Sequence, residues 1–184
     1  MKKDIIIPVV SLLVICLVCS ALLGGVNALT KDTIEQRAAQ DIIDAQGVLI
    51  PADSYKEENI DGTAYSTALD ADGNVIGYIF TTSSNGYGGA IKLMTGISAD
   101  GEVTGISLLE INETPGLGMK AKNESFLQQF VGADDTINVV KEAVTADNTV
   151  QAITSATITT KAVTAAVNKA IGLYNAVKEA NVNG

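Results

Sequence analysis

The N-terminal apolar run is the feature that most restricts how this chain can fold. No charged residue occurs between Asp4 and Lys31, and residues 5–26 are almost wholly apolar. As an α-helix that rises about 1.5 Å per residue, this run reaches about 33 Å, enough to cross a hydrocarbon layer of about 30 Å. The run therefore predicts one membrane-spanning helix, with the rest of the chain folded as a separate domain.

The residues that flank the run predict its orientation. Lys2, Lys3 and the terminal amine precede it, which favours a cytoplasmic N-terminus and a C-terminal domain on the extracytoplasmic side. A cleaved signal peptide is the alternative, because Val26-Asn27-Ala28 has the small-x-small pattern of a cleavage site. The apolar run is longer than the roughly 7–15 residues usual in signal peptides. The preferred interpretation is a retained anchor over residues 1–28, which makes this a single-pass protein of the cell membrane.

Composition excludes several kinds of chemistry. The formal net charge is −9, so the phosphate backbone of a nucleic acid would be repelled and no nucleic-acid partner is expected. The chain has no His, and its two cysteines, Cys16 and Cys19, both lie in the apolar run. This leaves no His-based catalytic pair, no His metal site and no disulfide framework outside the run. Inside a spanning helix, the two cysteines are interpreted as apolar packing residues.

Residues 29–62 are predicted to connect the anchor to the folded domain. Residues 30–45 are helix formers with apolar side chains at helical spacing. The following residues, 46–62, are polar and rich in turn formers, so they are predicted to form a loop. The apolar positions of the connecting helix are Ile34, Ala38, Ile42 and Ala45.

Residues 63–184 are predicted to form an α+β domain in which helices flank an antiparallel hairpin sheet. From Thr63 apolar residues alternate with polar ones, which predicts strands. Two strands are predicted around a turn at Asp72-Gly73, and two more around a turn at Asp100-Gly101. Residues 70–74 look like part of a calcium loop but lack its remaining ligands, so a hairpin turn is the interpretation. A short helix is predicted over residues 123–130.

The last predicted element is a long helix from about Thr160 to Ala180. Its apolar residues recur at the spacing of one helix face, which predicts that this face packs on the sheet. The residues of this stripe are Val163, Val167, Ala170, Tyr174 and Val177.

Two segments depart from these patterns, and the first is the loop Asn-Glu-Thr-Pro-Gly-Leu-Gly-Met-Lys at residues 112–120. Pro115 fixes φ, while Gly116 and Gly118 admit backbone conformations closed to other residues and allow a ligand to approach the backbone. A purely structural turn between a strand and a helix explains the same residues.

The second segment, residues 151–163, collects hydroxyl side chains where a strand meets the last helix. One explanation is capping, because Ser and Thr oxygens satisfy the free N–H groups of a helix start. The other is that one hydroxyl is a covalent attachment point for a phosphate, which a helix N-terminus favours. The hydroxyl-bearing residues are Thr154, Ser155, Thr157, Thr159 and Thr160.

Taken together, the two motifs behind one N-terminal membrane helix resemble the FMN-binding domain family of the G subunit of the Rnf electron-transport complex. The C subunit of the sodium-translocating NADH:quinone reductase is similar. The resemblance covers the whole chain and implies a membrane-anchored flavoprotein with FMN bound covalently through its phosphate. It implies an electron carrier, not catalytic alone, in an ion-translocating ferredoxin:NAD oxidoreductase. The implied partners are integral-membrane and redox subunits of that complex, the lipid bilayer, and a flavin transferase during maturation.

The resemblance also assigns roles to residues. The family motif Asp-x-x-Ser/Thr-Gly-Ala-Thr places the FMN-bearing hydroxyl at Thr157, and Thr154 and Ala156 match it. Gln151 stands where Asp is usual, and Ser155 stands where Gly is usual, although a serine resists positive φ. With FMN attached at Thr157, the helix start at Thr159 and Thr160 is expected to receive the phosphate charge. The family's loop beside the flavin is matched by Glu113, Thr114, Pro115, Gly116, Leu117, Gly118 and Lys120.

Two alternatives from other functional classes stay open at the sequence level. One is an anchored extracytoplasmic ligand-binding module without covalent flavin, in which the hydroxyl cluster only caps a helix. The other is a hydrolase with a Ser or Thr nucleophile. In a chain without His, Lys120 or Lys161 would have to act as its base.

Overall fold

The structure is a computed structural model that describes residues 2–60, 62–142 and 146–183. The side chains of residues 2–5, 35, 38, 182 and 183 are outside that description, so the predicted stripe position Ala38 lies outside the described side chains. The chain divides into two compact units, Met1–Asp41 and Ile42–Gly184. The second unit contains the domain predicted from residue 63 onward together with the residues that immediately precede it.

Helix α1 is continuous from Lys2 to Leu49. By length and composition alone, the stretch Ile6–Leu49 of this helix contains a segment long and apolar enough to cross a membrane. Every side chain described between residues 6 and 26 is exposed. An exposed apolar surface of this extent is typical of a segment that contacts lipid or another protein. The predicted connecting helix over residues 30–45 is thus part of α1.

The predicted loop over residues 46–62 is wrong. It contains the end of α1 and strand β1 (Ser54–Ile60), which pairs antiparallel with the next strand. Charged residues in β1 hide the apolar–polar alternation expected of a strand. One of them, Glu58, is stabilised by hydrogen bonds from the neighbouring strand. The Glu58 carboxylate accepts hydrogen bonds from Tyr65 Oη at 3.0 Å and Thr67 Oγ1 at 2.8 Å. Hydrogen bonds from Lys56 and Thr67 also hold the pKa of Glu58 below its ordinary value.

The five-stranded antiparallel sheet runs in the order β1-β2-β3-β4-β5. Both predicted hairpins are confirmed, with Gly73 at φ 83° and Gly101 at φ 105° in their turns. In the first turn the Asp70 carboxylate accepts hydrogen bonds from the backbone N–H groups of Asp72 and Asn74, which stabilise the turn. The strands after β1 are β2 (Thr63–Leu69), β3 (Val75–Asn85), β4 (Ala90–Ser98) and β5 (Val103–Glu110).

Short elements connect β5 to the last helix. The helix predicted over residues 123–130 is helix α2 (Glu124–Leu127) followed by a 3-10 turn (Gln128–Phe130), and another 3-10 turn (Gly118–Lys122) precedes it. Strands β6 (Asn138–Val140) and β7 (Thr149–Gln151) pair in parallel. A strand before the last helix was predicted and corresponds to β7, whereas β6 and the parallel pairing were not predicted. The two strands have three residues each, too few for periodicity to be detected.

Helix α3 (Thr157–Asn183) packs one face against the sheet. All five residues of its predicted stripe are buried, in one core with Phe80, Leu93 and Val103. The Thr82 hydroxyl donates to the Ala166 carbonyl at 2.8 Å, and Tyr174 Oη donates to the Ala99 carbonyl at 2.9 Å. These contacts fix α3 on the sheet. The α+β fold, with an antiparallel hairpin sheet flanked by helices, is confirmed.

A second, smaller core lies on the other sheet face. It packs the end of α1, through Ala45 and Leu49, against Ala68, Ile79 and Met94. The Thr104 hydroxyl donates to the Leu49 carbonyl at 2.8 Å, and the Gln46 side-chain amide donates to Ser66 Oγ at 2.9 Å. The sheet is therefore covered on both faces.

Candidate functional site

Three segments meet at a cavity of about 530 Å³. They are the turn between β3 and β4, the loop after β5, and the beginning of α3. A volume of several hundred Å³ is usual for a small-molecule site. The two sequence motifs, which are about forty residues apart in the chain, therefore border the same cavity. Its lining residues are Tyr87, Glu113, Thr114, Leu117, Gly118, Ser155, Ala156, Thr157, Ile158 and Thr159.

Glu113 joins the three segments. Its side chain is only 6% exposed. One carboxylate oxygen, Oε1, accepts hydrogen bonds from the backbone N–H groups of Tyr87 at 2.7 Å and Gly88 at 3.3 Å. The other, Oε2, accepts from the Thr159 hydroxyl at 3.1 Å. Three donors satisfy this buried carboxylate, so Glu113 fixes the loop after β5 to both the hairpin turn and α3.

The two glycines of the loop act in different ways. A Cβ on Gly118 would lie 2.6 Å from Glu113 Oε2 and 2.7 Å from Thr159 Oγ1, so Gly118 lets the loop pack against both groups. Gly116 has open space around a Cβ but a φ of 77°, a conformation that favours glycine. At Gly118 the groups that approach the backbone closely are thus the Glu113 and Thr159 side chains. Gly116 instead allows the backbone to adopt the positive φ of the turn.

Helix α3 begins at Thr157, three residues before the predicted start near Thr160. The Thr160 N–H donates to the Ala156 carbonyl at 3.0 Å, which makes Ala156 the N-cap residue. Alanine has no side-chain acceptor, so the N–H groups of Thr157, Ile158 and Thr159 receive no N-cap side chain. The hydroxyl cluster does not supply the N-cap, contrary to the capping interpretation.

The hydroxyls around the start of α3 have different roles. Thr160 is fully buried: its Oγ1 accepts from the Ile153 N–H at 3.0 Å and donates to the Ala156 carbonyl at 3.1 Å, which stabilises the turn before the helix. Thr159 donates to Glu113. The partly buried Thr157 lines the cavity, and its hydroxyl has no hydrogen-bond partner among the described residues. The Thr157 hydroxyl therefore borders the cavity and is not engaged by the described residues around it.

Ser155 adopts the conformation for which the family motif has a glycine. Its φ is 64°, in the left-handed region, although it carries a Cβ. The backbone N–H of the next residue, Ala156, donates to the Ile153 carbonyl at 2.9 Å and closes the turn. The turn that leads to Thr157 thus forms with serine at this position.

Five residues of the predicted site and its loop are not among those that line the cavity: Thr154, Thr160, Pro115, Gly116 and Lys120. Lys120 and Gln151 instead line a second cavity of about 480 Å³, beside Phe126 and Gln129. The Gln151 N–H donates to Gln129 Oε1 at 2.8 Å. Lys161, like Lys120, does not line the first cavity, so neither base that a hydrolase would need borders it.

Sequence reasoning missed two lining residues, Tyr87 and Ile158. Both are exposed, at 73% and 55%, and Leu117 is 40% exposed. These three side chains form what we call the apolar wall of the cavity. The signal for Tyr87 was an aromatic residue within the glycine-rich sequence Asn-Gly-Tyr-Gly-Gly at residues 85–89.

The cavity combines two kinds of surface. The uncapped N-terminus of α3 suits an anion such as a phosphate, and the apolar wall suits a flat ring. Within the part of the chain that the structure describes, no group of three or more His, Cys, Asp or Glu side chains could hold a metal ion. The arrangement therefore fits a phosphorylated aromatic cofactor.

Comparisons with known proteins agree with this geometry. The family model described as "FMN-binding domain" matches residues 86–172, which include the whole cavity, and the model "RnfG N-terminal region" matches residues 1–45. The solved structure of Shewanella oneidensis NqrC aligns with a TM-score of 0.53 and 22% identity, over 58% of this chain and 54% of that one. This structural likeness supports the fold.

Relatives match over most of the chain. The G subunit of the proton-translocating ferredoxin:NAD(+) oxidoreductase complex of Clostridium ljungdahlii is 35% identical over 88% of this chain and 86% of its own. The G subunit of the Na(+)-translocating complex of Acetobacterium woodii is 35% identical over 89% and 88%. The G subunit of the ion-translocating oxidoreductase complex of Methanosarcina acetivorans is 31% identical over 95% and 97%. The chain therefore belongs to the family of G subunits of the Rnf ion-translocating oxidoreductase complexes, and it contains the FMN-binding domain of that family.

Proposed function

We propose that this chain is a membrane-anchored electron carrier that holds FMN as a phosphoester on Thr157. In this role it relays electrons within an ion-translocating ferredoxin:NAD oxidoreductase complex. Its family membership and the names of its relatives support the complex. The FMN-binding domain over residues 86–172 supports the cofactor.

The observation that carries the attachment site is the Thr157 hydroxyl at an uncapped helix start. A phosphate on Thr157 would bring acceptor oxygens to the N–H groups of the first turn, where the helix dipole also favours negative charge. An alanine such as Ala156 at the N-cap costs about 0.5–2 kcal/mol relative to Ser, Thr, Asp or Asn. The phosphate would offset that cost by supplying the missing acceptors.

The rest of the cavity fits the remainder of the cofactor. When bound, FMN supplies the electron-transfer chemistry, so the chain needs no His or Cys for it. The apolar wall would give the ring of the cofactor a surface to pack on, while Glu113 holds the three bordering segments together. The contribution of these residues is to hold and orient the cofactor.

The apolar N-terminal part of α1 is proposed to stay in the membrane, with the domain from Ile42 onward on the extracytoplasmic side. Lys2 and Lys3 favour this orientation. A covalent link would retain the cofactor where a released flavin would diffuse away. The proposed partners are the membrane and redox subunits of the complex and, during maturation, a flavin transferase.

A complementation experiment tests this function. A membrane preparation in which this chain serves as the G subunit of an assembled complex should reduce NAD with reduced ferredoxin. Thr157→Ala should abolish that activity while the complex still assembles, and Thr157→Ser, which keeps a hydroxyl, should retain part of it. Full activity of an assembled complex with Thr157→Ala would contradict the proposal.

A further inference from the structure

Tyr87 is placed unlike the other tyrosines of the chain. Its side chain is 73% exposed and lines the cavity. The remaining four of the five tyrosines pack in or against the two cores. The chain has no Trp, and Tyr87 is the one aromatic side chain among the residues that line the cavity.

The backbone of Tyr87 is held in place although its ring is exposed. The Tyr87 N–H donates to Glu113 Oε1 at 2.7 Å, and Oε2 of the same carboxylate accepts from Thr159, two residues beyond Thr157. The buried Glu113 carboxylate thus connects the backbone of Tyr87 to the start of α3, where Thr157 lies.

The glycines on either side of Tyr87 allow this close packing. A Cβ on Gly86 would collide with Glu113 Oε1, and a Cβ on Gly88 would collide with the carbonyl oxygen of Asn112. Only residues without a side chain let the turn approach the loop after β5 so closely. The turn therefore packs its backbone tightly while it leaves one aromatic ring at the cavity.

The ligand chemistry that suits this ring is a flat aromatic system. Tyr87, Leu117 and Ile158 come from three different segments, and each exposes an apolar or aromatic surface at the same cavity. A phosphate gains nothing from such a wall, whereas an aromatic ring gains from burial of its surface and from stacking on a tyrosine.

We infer that Tyr87 contacts the isoalloxazine ring of FMN held at Thr157 and fixes the position of that ring in the cavity. The inference rests on the proposed function and adds to it a specific contact of the ring, on a segment outside both sequence motifs. It also assigns a purpose to Glu113, which becomes a positioning residue that acts through the backbone of Tyr87.

Flavin fluorescence gives this contact a direct signature. A photoexcited flavin takes one electron from a phenol in van der Waals contact and returns it, so light emission is lost without net chemistry. A phenyl ring of the same shape does not donate that electron. Tyr87→Phe therefore preserves the stacking surface and removes the quenching, whereas Tyr87→Ala removes both.

The experiment uses the full chain, co-expressed with a flavin transferase and purified in detergent. Intact mass gives FMN occupancy, and fluorescence yield per bound FMN is compared for wild type, Tyr87→Phe and Tyr87→Ala. The matched control is Tyr55→Phe, since Tyr55 packs in the smaller core on the opposite sheet face. We expect Tyr87→Phe to brighten severalfold at unchanged anisotropy, and Tyr87→Ala to brighten with lower anisotropy, while Tyr55→Phe matches wild type.

The outcomes separate this inference from the proposed function. Equal yields for wild type and Tyr87→Phe at equal FMN occupancy would overturn the Tyr87 contact and leave the attachment at Thr157 intact. A wild-type chain that gains no FMN mass would overturn the proposed function and the contact together.

Discussion

Ser155 holds a backbone conformation that costs a serine free energy. Its φ of 64° lies in the left-handed region, where a residue with a Cβ is disfavoured by about 1–2 kcal/mol. We therefore expect Ser155→Gly to raise the free energy of unfolding. The gain is reduced in part because glycine has more conformational entropy in the unfolded chain. Urea denaturation of the purified protein measures this change. A clear loss of stability would show that the serine side chain makes a stabilising contact.

Two buried threonines on neighbouring strands offer a matched pair of substitutions. Thr95 Oγ1 is buried without a hydrogen-bond partner among the described residues, whereas Thr82 Oγ1 donates to the Ala166 carbonyl. An unsatisfied buried hydroxyl costs about 1–3 kcal/mol, and loss of a made hydrogen bond costs a similar amount. Thr95→Val should therefore stabilise the domain and Thr82→Val should destabilise it, as measured by thermal unfolding. Equal effects of the same sign would contradict this.

At the scale of elements, the loop after β5 contains two glycines that are needed for different reasons, one steric and one conformational. Gly118→Val places side-chain atoms against Glu113 and Thr159, so it should shift the flavin absorption spectrum as well as lower stability. Gly116→Val meets open space and should cost about 1–2 kcal/mol through its positive φ alone.

The control for this pair is Gly132→Val, which has a φ of 83° and open space outside both motifs. It should resemble Gly116→Val in stability and leave the spectrum unchanged. If Gly116→Val shifts the spectrum as much as Gly118→Val does, the conformation of the turn also determines the flavin site.

Elements with local signals could be predicted from the sequence. The Asp-Gly turns and the apolar stripe of α3 depend on residues near one another in the chain, and both were confirmed. Strand β1 was missed because Lys56, Glu57 and Glu58 at a sheet edge conceal its alternation, and their charges suit an edge strand. The pairing of β6 with β7 joins residues about ten positions apart, which periodicity does not detect.

The cavity was partly predictable for the same reason. Its two motifs stood out because glycine, proline and hydroxyl residues cluster in each. Tyr87 was missed because it joins the cavity only through the fold, by a hydrogen bond to Glu113, which lies 26 positions away in the chain. The roles of Thr159 and Thr160 likewise depend on which groups their hydroxyls contact.

At the scale of the whole molecule, the proposal that α1 is a retained membrane anchor makes a prediction about topology. In intact cells whose outer barrier has been opened, added protease should digest the acidic domain, because Lys2 and Lys3 favour a cytoplasmic N-terminus. N-terminal sequencing of the membrane fraction should find a chain that begins at residue 1 or 2. A chain that begins near Leu29 would support a cleaved signal peptide. A domain that protease digests only after the cytoplasm is opened would contradict the predicted orientation.

The central claim is that Thr157 carries FMN, and intact-mass spectrometry of the chain co-expressed with a flavin transferase tests it most directly. Wild type should gain the mass of FMN less one water and fluoresce on a denaturing gel, as should the control Ser83→Ala, whose exposed hydroxyl lies outside both cavities. Thr157→Ala should lose both signals. A fluorescent Thr157→Ala chain with unchanged added mass would contradict the attachment site, and an unmodified wild type would favour the alternative of a ligand-binding module without covalent flavin.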